Sequence, residues 1–132
     1  MLVKDVMRTG VITISPFSSL REAITMMREN DLQSIVVDKK DKNDAYGILT
    51  YTTVLQEIVA DDGDIDLLNV YDVYAKPALT VSKELNIKIV AKMMVNQKYK
   101  RLLVTEANEL IGIISMTDIV DTIFDMVGTE QA

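Results

Sequence analysis

Gly112-Ile113-Ile114-Ser115-Met116-Thr117-Asp118-Ile119 repeats, largely class for class, the earlier stretch Gly47-Ile48-Leu49-Thr50-Tyr51-Thr52-Thr53-Val54. The two glycines lie 112 − 47 = 65 positions apart. Further upstream the spacing is 70 − 3 = 67: Val3-Lys4-Asp5-Val6 falls on Val70-Tyr71-Asp72-Val73, Ile12-Thr13-Ile14-Ser15 on Leu79-Thr80-Val81-Ser82, and Met26-Met27 on Met93-Met94. The spacing changes because the polar loop Lys39 to Ala45 is two residues longer than its counterpart. Eight identities in thirty-five positions and four in the next sixteen make twelve in fifty-one. A shift confined to a loop is what a duplicated structural unit tolerates.

Each copy has the same local pattern. Val11 to Ser15 alternates between Gly10 and Pro16, which predicts a short strand. Leu20, Ala23, Ile24 and Met27 keep the spacing of one helix face, as do Ile87, Val90, Ala91 and Met94. Ser18 or Ser19, followed by Glu22, supplies a cap for the first of these helices. Ile35-Val36-Val37 and Leu102-Leu103-Val104 suit buried strands, and the two Gly-led runs are the strands that follow. Val54, Leu55, Ile58 and Val59 mark a closing helix, matched by Ile119, Val120, Ile123 and Phe124.

The predicted order is β-α-β-β-α, twice, an α/β (α+β) fold with repeats at 1–60 and 68–127. An acidic linker at 61–67 joins them and a tail follows at 128–132. A half of about sixty residues buries little alone. The halves are therefore expected to pack with pseudo-twofold symmetry into one compact module, with two clefts where they meet, a common place for small ligands.

Composition removes several functions. The 132 residues contain no Cys and no His, so thiolate chemistry, Ser-His-Asp catalysis and His-ligated metals are excluded for this chain. Fourteen Lys and Arg against twenty Asp and Glu give −6, which opposes broad binding to nucleic acid. Charge appears at once in Met1-Leu2-Val3-Lys4-Asp5 and no run approaches the roughly eighteen apolar residues of a membrane span. A soluble cytoplasmic protein is expected. Asp61, Asp62, Asp64 and Asp66 lack the glycine position and terminal Glu of a calcium loop and read as a solvated joint; the eight Met read as core filler. No metal site is expected.

The doubled β-α-β-β-α order, the stretch Gly112 to Ile119, and the opening Val3-Lys4-Asp5-Val6-Met7 before Val11-Ile12-Thr13-Ile14 resemble a cystathionine-β-synthase (CBS) domain pair, here as a stand-alone module. The resemblance covers almost the whole chain and implies a regulatory module that binds an adenosine-containing ligand (AMP, ADP, ATP or a relative). It makes no bond and uses no catalytic cofactor. It also implies a homodimer, and a separately encoded enzyme or transporter as the regulated partner. The helices closing each repeat carry apolar patches (Val59, Phe124, Met126, Val127) that suit pairing with a second copy.

Ser115, Thr117 and Asp118 stand where a strand ends and a helix begins. An ionised carboxylate there can accept two hydrogen bonds from a diol such as the 2′ and 3′ hydroxyls of a ribose. A plainer reading has Thr117 capping the helix and Asp118 complementing its dipole. Matching positions to the family draws Ile12, Thr13, Gln33, Ser34, Ile35 and Ile113 into the same cleft, on the base side. The second cleft would take Thr50, Thr53, Thr80, Lys100 and Arg101. Thr53 stands where Asp118 would, so this cleft lacks the charged acceptor, while Lys100 and Arg101 match phosphate-contacting positions of some relatives. The competing function is a ligand-free oligomerisation or protein-interaction module, which degenerate clefts would fit. An enzyme working with Asp and Lys alone finds no recognisable pair of carboxylates or buried Lys.

Overall fold

A computed structural model describes residues 1–131, with side chains to 128. The elements are α1 (Val3–Val6), β1 (Thr13–Ile14), α2 (Leu20–Glu29), β2 (Ser34–Val37), β3 (Gly47–Thr50), α3 (Tyr51–Val54), α4 (Val70–Val73), β4 (Thr80–Val81), α5 (Ile87–Gln97), β5 (Arg101–Glu106), β6 (Glu109–Ser115) and α6 (Met116–Gln131). A π-helical segment, Leu55–Ala60, continues α3. The mixed α/β class and the doubled order agree with the sequence reading. Most of the stretch read as a tail continues α6, and residue 132 lies outside the described residues.

The two three-stranded sheets have the same plan. β1 runs parallel to β2 and β2 antiparallel to β3; β4, β5 and β6 repeat this. Between the parallel strands lie α2 and α5. Ser19 caps α2 by accepting the Glu22 N–H at 3.0 Å, and Asn86 caps α5 by accepting that of Lys88 at 2.8 Å. Both helices are followed by a left-handed residue, Asp31 (φ 53°) and Lys98 (φ 61°). The loop between β2 and β3 is long, whereas β5 and β6 are joined through Ala107 and Asn108, both at positive φ, as a tight hairpin requires.

Two short helices, α1 and α4, were not anticipated. Four residues are too few for an apolar period. What starts them is an Asp three positions into the turn: Asp5 accepts the Leu2 N–H at 2.8 Å and Asp72 that of Asn69 at 2.9 Å.

The compact units of the fold are offset from the repeats of the sequence. One unit comprises residues 1–11 together with the chain from Leu79 onward; the other comprises Ile12–Ala78. Thus α1 belongs with the second repeat's sheet and α4 with the first's. Val3 is fully buried in a core with Val81, Val90, Met94, Leu102, Val104 and Ile114. Val70 is fully buried with Ile14, Leu20, Ala23, Met27, Ile35, Val37 and Leu49. Equivalent hydrogen bonds hold each exchanged segment: Val3 N–H donates to the Leu85 carbonyl (2.8 Å) and Val70 N–H to that of Ser18 (2.9 Å).

The exchange explains the glycine of each signature stretch. Arg8 and Ile113 trade two backbone hydrogen bonds (2.9 and 3.0 Å), as do Ala75 and Ile48 (3.0 and 2.9 Å), which lays the exchanged segment on β6 or β3. A Cβ at Gly112 would come within 2.9 Å of the Arg8 carbonyl oxygen and 2.8 Å of Met7 Sδ. At Gly47 it would run into the Tyr74 ring and come within 2.8 Å of the Ala75 carbonyl oxygen.

Candidate functional site

The start of α6 is built by reciprocal bonds. Ser115 Oγ accepts the Asp118 N–H at 3.1 Å, and Asp118 Oδ2 accepts the Ser115 N–H at 2.9 Å. This is a capping box, satisfying donors that a helix start otherwise leaves unpaired. The plainer reading put the cap at Thr117; Ser115 takes that role because it is the residue just outside the first helical turn, and Thr117 already lies within it. Thr117 is exposed. The Met116 N–H donates to the Lys100 carbonyl at 2.8 Å, tying the helix start to the beginning of β5.

The other carboxylate oxygen, Asp118 Oδ1, accepts from Arg8 Nε at 2.7 Å. The Asp118 side chain is 7% exposed and that of Arg8 69%. The carboxylate therefore has each oxygen fixed by one donor. Arg8 was missed from the sequence. The signal was present in the repeat: Arg8 aligns with Ala75 just as Asp118 aligns with Thr53, so both charged partners differ together.

Of the remaining predicted residues, Ile113, Thr80, Lys100 and Arg101 share a unit with Asp118. Ile12, Thr13, Gln33, Ser34, Ile35, Thr50 and Thr53 belong to the other. Arg101 lies directly opposite Ser115 in the β5–β6 ladder. Its half-buried guanidinium has its pKa lowered from the usual value by desolvation. Lys100 and Thr80 are exposed. Ile35 is 1% exposed within its own core, so its side chain is committed there. In the other unit, Thr50 caps α3 in the same place as Ser115, with the Thr50 and Thr53 hydroxyls 3.4 Å apart. This is the uncharged version of the same box. A recess of about 280 Å³ lined by Ile24, Met27, Arg28, Asp31, Tyr51 and Val54 coincides with none of the site residues read from the sequence.

The CBS domain family description matches residues 3–60 and 70–125. The chain belongs to the CBS-domain family. An uncharacterized protein of Methanopyrus kandleri is 31% identical to this CBS pair over 118 residues, 89% of this chain and 60% of that protein. An inosine-5′-monophosphate dehydrogenase of Korarchaeum cryptofilum is 33% identical over 112 residues, 83% of this chain but only 21% of the enzyme. The chain thus spans three fifths or less of these relatives, and the likeness to the enzyme concerns the CBS part. Among solved structures, the hexameric CBS-CP12 protein from bloom-forming cyanobacteria superimposes with a TM-score of 0.84 at 30% identity, covering 91% of this CBS pair and 69% of that chain. Among the described residues no group of carboxylates is placed to hold a metal ion, and no helix is long and apolar enough to cross a membrane.

Proposed function

We propose that this CBS pair is a regulatory module binding an adenosine-type ligand, with Asp118 accepting from the ribose hydroxyls and Ser115 and Thr117 facing the sugar. The observation that carries this reading is the doubly anchored, nearly buried Asp118 carboxylate beside the exposed Thr117. A carboxylate whose orientation is set in advance loses little freedom when a diol docks. Binding makes and breaks no bond; it acts by favouring one arrangement of the protein, which a partner protein then reads. The neutral box of Thr50 and Thr53 supports a weaker or silent equivalent.

The test is isothermal titration calorimetry with AMP and ATP on the wild type and on Asp118→Asn, which keeps an acceptor for the Ser115 N–H while removing the charge. Loss of both charge-assisted hydrogen bonds, each worth about 1.5–3 kcal/mol, weakens binding at least about tenfold. Unchanged affinity in the variant refutes the ribose role.

A second reading, association of copies, is favoured by exposed apolar side chains on the closing helices: Leu55 and Val59 on one, Ile123, Phe124, Met126 and Val127 on the other. The cyanobacterial relative is hexameric. We propose a homodimer through these faces. Native mass spectrometry without added ligand reports subunit number and retained small molecules together; a ligand-free monomer counts against both readings.

A further inference from the structure

We infer that the recess between α2 and α3 binds a free α-amino acid with an apolar side chain, as a second ligand site independent of the adenosine reading. The recess lies wholly within the unit Ile12–Ala78 and is lined by Ile24, Met27, Arg28, Asp31, Tyr51 and Val54. Its volume of about 280 Å³ is at the small end of ligand pockets and suits one compact metabolite. Ile24 and Val54 are half-buried against the unit's core and Met27 is 2% exposed, so the floor is apolar and fixed. Tyr51, 53% exposed, adds an aromatic wall.

Two charged side chains select the ligand class. Arg28 and Asp31 are both exposed, and neither makes a side-chain hydrogen bond or ion pair among the described residues, although they line the same recess. Arg28 offers a planar fork that matches a carboxylate. Asp31 can accept from an ammonium, and it follows the C-terminus of α2, the end whose dipole favours a cation. An apolar floor with one such donor and one such acceptor is complementary to a molecule that carries carboxylate, ammonium and hydrocarbon on one carbon. Free α-amino acids are that class, whereas a peptide separates its two terminal charges.

The duplication shows that packing does not require these side chains. The positions matching Arg28 (28 + 67 = 95), Asp31 (31 + 67 = 98) and Tyr51 (51 + 65 = 116) hold Val95, Lys98 and Met116. Met27, by contrast, is matched by Met94, and both are buried. Asp31 and Lys98 follow their helices in the same left-handed conformation, φ 53° and 61°, so the backbone asks for neither charge. The floor is thus common to both copies, while the fork, the carboxylate and the ring belong to one.

The experiment is a methyl NMR titration of the full chain, labelled at Ile and Met, with L-leucine, N-acetyl-L-leucine (no ammonium) and L-leucinamide (no carboxylate). Leucine is expected to shift the Ile24 and Met27 methyl signals saturably and to bind about tenfold more tightly than either derivative, since each lacks one charge-assisted contact. Arg28→Gln should weaken leucine about tenfold and leave leucinamide unchanged. Asp31→Asn should weaken leucine similarly and leave N-acetylleucine unchanged. Leucine binding no tighter than its derivatives, or shifts confined to other methyls, overturns the inference. So does an equal loss for all three probes in either variant, which is what a merely structural role gives. If leucine shifts nothing while Arg28→Gln or Asp31→Asn changes the subunit number in native mass spectrometry, a second copy occupies the recess and the inference falls. Each of these failures leaves the adenosine reading standing, because AMP titration tests that separately.

Discussion

The two compact units share their sheet order, the register of their parallel strands and a cap at each equivalent helix start, yet they differ in their polar side-chain contacts. Where one unit has Arg8 bonded to Asp118, the other has Ala75 and Thr53. Where one has the ion pair Lys4–Glu84 at 3.2 Å, the other places Tyr71 against Phe17, edge to face with centroids 6.2 Å apart. The apolar positions, by contrast, keep their place: Val3 and Val70, Leu49 and Ile114, Met27 and Met94 are buried in both. Packing thus fixes the frame, and surface pairs are free to change in concert. Two residues that change together across a duplication mark a contact even when each alone is unremarkable in sequence.

Several measurements would break or sharpen this parallel. The largest effects are expected at the glycines. Gly47→Ala forces a Cβ into the Tyr74 ring and the Ala75 carbonyl, and Gly112→Ala meets the more yielding Met7 thioether beside a carbonyl. Overpacking of this kind costs about 1–3 kcal/mol. Thermal or urea unfolding should show the greater loss for Gly47→Ala, and equal small losses would deny the close approach. Next, Val3→Ala should cost about 2 kcal/mol through a cavity in the unit holding β4, β5 and β6. Hydrogen exchange should then rise in those strands before it rises in β1, β2 and β3; the reverse order would refute the exchange of α1.

Replacing Arg8 by Ala and Asp118 by Thr, singly and together, copies the neutral pair onto the charged unit. Because Arg8 is mostly exposed, a double-mutant cycle should return a coupling of only about 1 kcal/mol. A coupling near zero would mean the pair is incidental. The smallest effect concerns acid. The Lys76 ammonium hydrogen-bonded to Asp44 holds that carboxyl down at about 2, against 3.8 for an unperturbed Asp. Its folded pKa is depressed, so its contribution is complete above about 3.8 and is lost as pH falls through about 2. Lys76→Met should therefore differ from the wild type near neutrality and converge with it as pH falls through about 2. A gap that widens on acidification would contradict the pairing.

Much of this fold was legible in the chain. Periodicity in Leu20, Ala23, Ile24 and Met27 marked α2, and Ser18 or Ser19 before Glu22 marked its start; of the two serines Ser19 is the cap. The duplication gave the element order because apolar positions are where duplicated copies stay alike. What escaped was non-local or short. A four-residue helix has no period to read, and which sheet it joins is decided by distant packing, Val3 bonding to Leu85 and Val70 to Ser18. The π-helical winding of Leu55–Ala60 was hidden for a similar reason, since Val54 and Ile58 fit an ordinary helix equally well. At the site, Ser115 and Asp118 stood out as ligand candidates at a strand-to-helix junction but not as the capping box they form, and Arg8, 110 positions from its partner, became visible only through the geometry.

The crossing-over of α1 and α4 also bears on ancestry and biosynthesis. On the ribosome, residues 1–11 emerge some seventy or more residues before those that bury Val3, so this segment must wait for Val81 to Ile114 before it finds its place. An ancestor with a single repeat would have faced the same want with no later half to meet it. Lending its first helix to another molecule and borrowing one in return would have closed its interior in the same way.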